Sequence, residues 1–390
     1  MKPKKDYSFI KGVNYEYQRK NQTEWLSELT MAKRIGINSL RIWLNYSQYK
    51  NDPESYIRYI KSFFQFADSL GLSVMPIIFN GNAINQNNAH ELDDAFIPDG
   101  EKYVNDVVDG LKDEPALLMY DVMNEPGCNH LIWDAKDEAQ RTYWMDKHWK
   151  FVRYFCAYVK SLDTENAITV GCWLADHICD VAEFVDVLSY HDYSPSDTEI
   201  LNKADIALAV SKKYGKPVMN TETGCIARGN PYDLTIQLMD ERHIPWYIYG
   251  LTADGYWNDA HGLFYADGTV RDPAGVAAVM GFYRNRNYNT IIVEKPNREK
   301  LVTASLNKLK RLLDDSTNDC FNYQGVSLSA LLDECDELAN FLEGAQLVPM
   351  RIPPTARVYN FRKQENPNAL EIKAFAFEMA ETLKEACQIL

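Results

Sequence analysis

Two glutamates stand where apolar stretches of the sequence give way to polar residues. Glu125 belongs to the run Asp121–Pro126, and Glu222 belongs to the run Asn220–Gly224. A pair of carboxyl groups can cleave a glycosidic bond, because one protonates the departing oxygen while the other attacks the anomeric carbon. Each glutamate alone also has a structural explanation, since Glu is favoured in the first turn of a helix and a residue after a strand is commonly solvated. The chemistry therefore depends on a fold that brings the two carboxyl groups together.

The elements around these motifs alternate between short apolar runs and longer stretches with helical periodicity. The strand candidates are Ile10–Tyr15, Ser39–Leu44, Ser73–Phe79, Leu117–Met123, Ala167–Cys172, Val185–Tyr190, Pro217–Thr221 and Trp246–Leu251. The helical candidates that follow them are 23–35, 53–70, 99–112, 137–161, 176–183, 198–213, 231–241 and 272–284. Eight such units predict an α/β fold of the (β/α)8 TIM barrel type, and an open doubly wound sheet has less support because no G-x-G-x-x-G follows the first strand. Glu125 and Glu222 then end strands four and seven, at the mouth where TIM barrels place their active sites.

The pattern changes after residue 284, where no convincing strand is found. Apolar residues recur at helical spacing in the stretches 298–315, 327–343 and 368–389, and the Pro-containing stretch Leu347–Pro367 reads as irregular. We therefore predict a catalytic barrel over residues 1–284 and an α-helical C-terminal extension over residues 285–390.

The charge of the chain favours an uncharged substrate. Its 55 acidic and 41 basic residues give a net charge of −14, which argues against nucleic acid and anionic membranes as partners. Apolar stretches such as Leu72–Phe79 are too short to cross a bilayer. No apolar segment follows Met1–Asp6, so no signal peptide is visible, and we expect either a cytoplasmic protein or a secreted or periplasmic one whose leader has been removed. The sequence leaves the oligomeric state open.

The eight cysteines indicate neither a metal site nor a disulfide framework. None forms a C-x-x-C pair, and neither Cys128-Asn129-His130 nor the set Cys172, His177 and Cys179 has a recognised zinc spacing. Buried free thiols are the simpler interpretation, so we expect no metal and no other cofactor.

The order of these motifs resembles glycoside hydrolase clan A, and within it family 5 of the cellulase and mannanase type. The resemblance covers about residues 9–284, and its most specific part is Asn124-Glu125-Pro126 followed by the late Glu222. The chain is also similar to a group of cellulase-like proteins often labelled as xylanases, in the runs Leu40–Leu44, Asp52–Glu54, Ser189–Tyr193 and Leu263–Thr269. The resemblance implies that Glu125 is the acid/base and Glu222 the nucleophile.

Four further residues acquire roles through the same resemblance. Arg41 matches the arginine that would hydrogen-bond the nucleophile and keep it ionised, although a salt bridge at the barrel rim is the alternative. Asn124 matches the asparagine that donates to the sugar 2-hydroxyl. His191 and Tyr193 match a His-x-Tyr motif whose histidine lines the subsite near the acid/base and whose tyrosine contacts the nucleophile. A lone histidine is otherwise more often a structural residue.

The chain departs from family 5 at the ends of three strands. The histidine usual after strand three is absent, so its polar role falls to Asn80 or Asn82. The tryptophan that ends strand eight is replaced by Tyr249, and Trp257 is close enough in sequence to serve as the sugar platform instead. Thr223 stands where the cellulase-like group tends to have tryptophan. These departures bear on the identity of the sugar more than on the reaction.

Three tryptophans lie in the predicted strand-end loops, namely Trp43, Trp133 and Trp173. Flat apolar rings stack well on the C–H faces of sugars, and they lose little rotamer entropy on binding. The alternative is that these rings fill the core beneath the loops. We count Trp43 and Trp173 among the substrate-binding candidates.

The sequence as a whole predicts a retaining glycoside hydrolase acting on a neutral β-linked glycan or glycoside by double displacement. This mechanism requires carboxyl groups about 5–5.5 Å apart, and a separation near 9 Å would count against it. The alternative from another class is a carbohydrate-binding or scaffold barrel that has lost catalysis, which the altered strand-three and strand-eight positions suggest. Turnover of aryl β-glycosides distinguishes the two.

Overall fold

The computed structural model describes residues 6–18, 20–253 and 260–284, and residues 354–364 with a few separate helical positions in the C-terminal third. The chain divides into two compact units, Met1–Arg284 and Asn285–Leu390. All the strands and helices of the barrel lie in the first unit. Whether the two units are separate domains stays a prediction.

Eight parallel strands form a closed barrel in which each strand pairs with the next and the eighth pairs with the first. They are β1 (Lys11–Asn14), β2 (Ser39–Trp43), β3 (Ser73–Asn80), β4 (Met119–Asn124), β5 (Ala167–Cys172), β6 (Leu188–His191), β7 (Val218–Thr223) and β8 (Trp246–Tyr249). This topology confirms the predicted (β/α)8 barrel. A short pair, β9 (Thr252–Ala253) and β10 (Phe264–Tyr265), follows the last strand.

Helices cover the outside of the barrel between successive strands. They are α1 (Gln22–Arg34), α2 (Tyr46–Asn51), α3 (Pro53–Ser69), α4 (Ile97–Leu111), α5 (His130–Trp133), α6 (Glu138–Leu162), α7 (Ile178–Val181), α8 (Asp197–Tyr214), α9 (Tyr232–Glu241) and α10 (Pro273–Val279). Their starts follow the capping chemistry of the sequence. Asp52, for example, accepts a hydrogen bond from the backbone of Ser55 and places Pro53 in the first turn of α3. Among the described residues, no helix combines the length and apolar character needed to span a membrane.

In the second unit the structure describes one helix in full, α11 (Pro354–Arg362). It lies within Leu347–Pro367, which we expected to be irregular, so that expectation was wrong. Pro354 is the first residue of the helix, where proline costs no hydrogen bond. The predicted helices at 298–315, 327–343 and 368–389 lie largely outside the described residues.

The interior of the barrel changes from apolar to polar toward the mouth. Near the strand starts, Met75, Met119 and Tyr247 pack in one buried cluster. The Tyr247 ring fits because Gly12 faces it, and a Cβ at Gly12 would lie 2.1 Å from a ring carbon. The Tyr247 hydroxyl hydrogen-bonds Ser39 at 2.7 Å. Two residues further along β2 the interior becomes charged.

Candidate active site

A fully buried guanidinium, that of Arg41 on β2, lies at the centre of the barrel mouth. Its Nη1 donates to Glu222 Oε1 at 2.7 Å, and its Nε and Nη2 donate to Asp121 Oδ2 at 3.0 and 2.8 Å. Burial alone would lower the pKa of Arg41, but the charges of Asp121 and Glu222 outweigh burial and raise it. A buried cation with two carboxylate partners stays charged. Arg41 therefore forms buried ion pairs with Asp121 and Glu222, and its part in catalysis stays a prediction.

Two asparagines accept the remaining hydrogen bonds of Arg41. Asn14, the last residue of β1, accepts from Nη1 at 2.9 Å, and Asn124, the last residue of β4, accepts from Nη2 at 2.8 Å. With its oxygen held by Arg41, Asn124 directs its amide nitrogen to Asn80 Oδ1 at 3.1 Å. This orients the Asn124 amide group, because its oxygen can only accept and its nitrogen can only donate.

The network around Arg41 closes against Gly171 on β5. The Gly171 amide donates to Asp121 Oδ1 at 3.0 Å, and its carbonyl accepts from the Glu125 amide at 2.7 Å. A Cβ at this position would lie 2.6 Å from Arg41 Nη2 and 3.0 Å from both Asp121 and His191. Glycine is therefore required here because three polar side chains occupy the space of a side chain.

Glu222 on β7 receives hydrogen bonds at both carboxylate oxygens. Arg41 holds Oε1, and the Tyr193 hydroxyl donates to Oε2 at 3.0 Å. Burial raises the pKa of Tyr193 well above its ordinary value, so the phenol keeps its proton and remains a donor. Both interactions fix the position of the Glu222 carboxylate group.

Glu125 follows β4 with a φ of 48°, in the left-handed region that residues other than glycine rarely adopt. Its Oε1 lies 2.8 Å from His191 Nδ1, and its Oε2 accepts from the Asn82 amide at 3.1 Å. Burial raises the pKa of Glu125 and lowers the pKa of His191 to about 4. His191 is thus neutral near pH 7, and in the tautomer with its proton on Nδ1 it donates to the carboxylate. His191 Nδ1 also lies 3.4 Å from Glu222 Oε2.

The two glutamates face each other across a cleft with a volume of about 750 Å³. One donor atom from each of Glu125, His191 and Glu222 lies within 4.8 Å of the others, so the same three side chains could in geometry hold a metal ion. Trp43 and Tyr249 line the cleft with ring centroids 5.6 Å apart at 72°. The Tyr249 ring also contacts His261 at 4.6 Å.

The structure brings together nearly all the residues that we selected from the sequence. Glu222, Arg41, Asn124, Tyr193 and Asn80 form one connected hydrogen-bond network. Glu125 and His191 form a pair beside it, with His191 Nδ1 3.4 Å from Glu222, and Trp43, Trp173 and Tyr249 line the cleft. Trp257 lies outside the described residues. Trp133 is exposed on α5 and does not line the cleft, so its ring neither fills the core nor forms part of the cleft wall.

Sequence reasoning missed Asn14 and Asp121, and it did not single out Gly171. The available signal was polarity inside otherwise apolar strands. Asp121 interrupts β4, and an ionisable residue in a buried strand needs a partner. Asn82 was one of two candidates for the polar role after β3, and it is the one that contacts Glu125.

A family model described as Cellulase (glycosyl hydrolase family 5) matches residues 5–255 of the chain. No curated protein matches the sequence. Among solved structures, the chain is similar to the endo-β-1,4-mannanase from Thermotoga petrophila, with 18% identity, 72% of this chain and 76% of that chain covered, and a TM-score of 0.54. It is similar to the endo-1,4-β-mannanase from Rhizomucor miehei, with 15% identity, coverage of 70% and 92%, and a TM-score of 0.54. It is also similar to a broad-specificity endoglucanase from Clostridium acetobutylicum, with 14% identity, coverage of 69% and 96%, and a TM-score of 0.52.

At these identities the structural likenesses establish a shared fold. The family match is stronger, because it spans well over half of the chain and includes β1 to β8 with both Glu125 and Glu222. The chain therefore belongs to the cellulase family, glycosyl hydrolase family 5, and is a glycoside hydrolase.

Proposed function

We propose that the protein cleaves a neutral β-linked glycan or glycoside with retention of anomeric configuration, by double displacement between Glu222 and Glu125. The observation that carries the proposal is the short distance between the two carboxylates, which present oxygens within 4.8 Å of each other. Retaining enzymes place their carboxyl groups about 5–5.5 Å apart, whereas inverting enzymes need about 6.5–9.5 Å to admit a water molecule.

In the first step Glu222 attacks the anomeric carbon while Glu125 protonates the departing oxygen. The hydrogen bonds from Arg41 and Tyr193 hold the Glu222 carboxylate in place for the attack. The raised pKa of Glu125 keeps a proton available for the leaving group. The bond from the anomeric carbon to the leaving oxygen breaks, and a covalent bond from that carbon to Glu222 forms.

In the second step water replaces Glu222 at the anomeric carbon, and Glu125 acts as the base. Glu125 is then ionised, and the neutral His191 stabilises it by donating from Nδ1. Asn82 supplies a second donor to the same carboxylate. Both donors are uncharged near pH 7, so the charge of Glu125 can change in each half-reaction without breaking a strong ion pair.

The floor of the cleft offers groups for the sugar whose bond is cleaved. The Asn124 amide, oriented by Arg41 and Asn80, is placed to bind the 2-hydroxyl. Tyr249 and Trp43 provide apolar ring surface near Glu222, and they stand in for the strand-eight tryptophan of the family.

A metal-dependent reaction is the competing interpretation of the Glu125, His191 and Glu222 cluster. The Arg41 cation lies 2.7 Å from Glu222, and it would repel a second cation bound to the same carboxylate. Activity that survives prolonged treatment with a chelator supports the carboxylate mechanism. Activity that is lost with the chelator and restored by a divalent metal supports the metal site.

The experiment is a screen of 4-nitrophenyl β-glucosides, mannosides and xylosides and their disaccharide homologues, together with β-glucan and β-1,4-mannan, because the similar structures include an endoglucanase and two endo-β-1,4-mannanases. Turnover with retention, followed by NMR of the first anomer released, is the expected result. Glu222→Gln and Glu125→Ala should lower kcat by several orders of magnitude, and azide should restore turnover of aryl glycosides to Glu125→Ala. Glu138→Gln, an exposed change on α6, is the matched control. Full activity in either active-site variant would refute the assignment, and binding without turnover would favour the non-catalytic barrel.

A further inference from the structure

The two catalytic carboxylates divide the barrel mouth into two unequal parts. Glu125 follows β4 and Glu222 lies on β7, so β5 and β6 lie on one side of the line between them and β8, β1, β2 and β3 lie on the other. If the double displacement proposed above is correct, the scissile bond lies on this line. The sugar that is attacked must then occupy one side, and the leaving group must occupy the other.

The groups suited to the attacked sugar all lie on the larger side. Asn124 is bonded to Arg41 of β2 and to Asn80 of β3, which draws its amide toward these strands. Tyr249 lies at the end of β8 and pairs its ring with Trp43 of β2. The glycan chain therefore runs across the mouth with its leaving-group end over β5 and β6.

Two polar atoms at this smaller side have no hydrogen-bond partner among the described residues. Trp173, directly after β5, and Asp192, directly after β6, both line the cleft. Trp173 Nε1 and Asp192 Oδ2 are each buried and unpaired, and the whole Asp192 residue is only 4% exposed. Asp192 Oδ1 accepts from the Ser194 backbone at 3.0 Å, which fixes the carboxylate. Unpaired buried polar atoms are destabilising, so they gain when a ligand supplies the partner.

A cation completes this side of the cleft. Arg228, in the loop after β7, is exposed, lines the cleft and places its guanidinium 4.8 Å from the centroid of the Tyr193 ring. No carboxylate of the described residues forms an ion pair with it, whereas Lys203 on the same wall is paired with Asp176 at 3.1 Å. The guanidinium group of Arg228 is thus free to donate hydrogen bonds to a ligand.

We propose that Trp173, Asp192 and Arg228 form the binding site for the leaving-group sugar, and that this sugar is a neutral pyranose. The indole offers a flat face and an N–H donor, the carboxylate accepts from a hydroxyl, and the guanidinium donates to neighbouring oxygens. A neutral sugar fits because Asp192 would repel a carboxylate on this wall, and the charge of Arg228 is offset by that of Asp192.

The test follows the glycosyl-enzyme, which partitions between water and a sugar seated in the leaving-group site. The donor is 4-nitrophenyl β-cellobioside or β-mannobioside, whichever the wild-type protein cleaves, and free cellobiose or mannobiose is the acceptor. The ratio of transfer product to hydrolysis product does not depend on the fraction of folded enzyme. It should fall about tenfold in Arg228→Gln and in Asp192→Asn, because each loses a hydrogen bond to a charged group. The control Arg58→Gln removes the same charge from an exposed position on α3 and should leave the ratio unchanged.

A second measurement separates the proposed site from a structural effect. The value of kcat/KM on the matching tetrasaccharide should fall about tenfold more than that on the aryl glycoside. Equal losses on both substrates would overturn the proposal, because they would mean that Arg228 acts through Tyr193 on Glu222. A transfer ratio within twofold of wild type in both variants would also overturn it. Absence of any turnover by the wild-type protein would instead refute the proposed function and this site with it.

Discussion

The ion pair between Arg41 and Asp121 gives the sharpest test of the network beneath the cleft. Replacing Asp121 with Asn removes one of two charges that balance the buried guanidinium, while the shape of the side chain hardly changes. The single remaining oxygen can accept from Arg41 or from the Gly171 amide, but the two groups now contact different atoms of Asp121. If one of these hydrogen bonds is kept, the amide nitrogen introduced by the substitution must face an N–H donor at the position of the other.

The loss of stability can be estimated because Arg41, Asp121 and Glu222 are all buried. Breaking a buried ion pair by removing one partner costs about 3–5 kcal/mol. Glu222, Asn14 and Asn124 still bind Arg41, so we expect a loss near the lower end, about 3 kcal/mol in the free energy of unfolding. We also expect kcat to fall at least tenfold, because Arg41 without Asp121 binds Glu222 more tightly and makes it a poorer nucleophile.

The measurement is urea unfolding of the wild type and the variant, with kcat for the best aryl glycoside. The control is Asp109→Asn, which breaks an exposed pair with Lys112 and should cost less than about 0.5 kcal/mol. A loss for Asp121→Asn as small as that of the control would refute the view that Asp121 balances a buried charge.

Three further predictions concern residues that position Glu125 and Glu222. Gly171→Ala should lower kcat about a hundredfold and the free energy of unfolding by about 1–3 kcal/mol. The reason is that the added Cβ would meet Arg41, Asp121 and His191. Equal activity of variant and wild type would contradict this. Asn129→Ala should cost about 1–3 kcal/mol in urea unfolding, because the buried amide bonds both the Gly81 carbonyl at 2.8 Å and His148 Nε2 at 2.9 Å, and it should raise KM or lower kcat by displacing Asn82. Stability should fall as the pH falls between 6.5 and about 4, because the buried His191, with its pKa lowered from 6.5 to about 4, stays unprotonated in the folded state while the unfolded chain binds the proton. The variant His191→Gln should lose that part of the pH dependence, and an unchanged profile would show that His191 does not titrate as described.

The barrel could be predicted from the sequence because alternating apolar runs and helical stretches carry a strong signal. The active-site floor could be predicted only in part, because side-chain direction depends on strand register. In a regular strand, residues three apart point to opposite faces, and Asp121 and Asn124 would not share a partner. The register of β4 against β5 shifts between these two residues, and both reach Arg41. A bulge of this kind has no local signature in the sequence.

The ends of β3 and β8, where the chain departs from the family, could likewise be predicted only in part. That Tyr249 replaces the tryptophan of β8 is visible in the sequence, and the ring does line the cleft. Which of Asn80 and Asn82 would approach Glu125 was not visible, because Gly81 turns the chain between them. A Cβ at Gly81 would lie 2.7 Å from the carbonyl oxygens of Asn124 and Glu125. The loop therefore crosses the end of β4 in close contact, and only a glycine allows Asn82 to reach Glu125.

The Arg41 network also constrains how such an enzyme can change during evolution. One guanidinium is bonded to side chains of β1, β4 and β7; its partners are hydrogen-bonded to β3 and β5, and Glu222 lies 3.4 Å from His191 of β6. A substitution at any of these positions disturbs several strands at once, so single changes there are costly and their effects are not additive. Arg228 and Trp173 lie in loops above this floor and are bound by few partners. Selection for a new sugar can act on these loops one residue at a time, while the reaction beneath them stays the same.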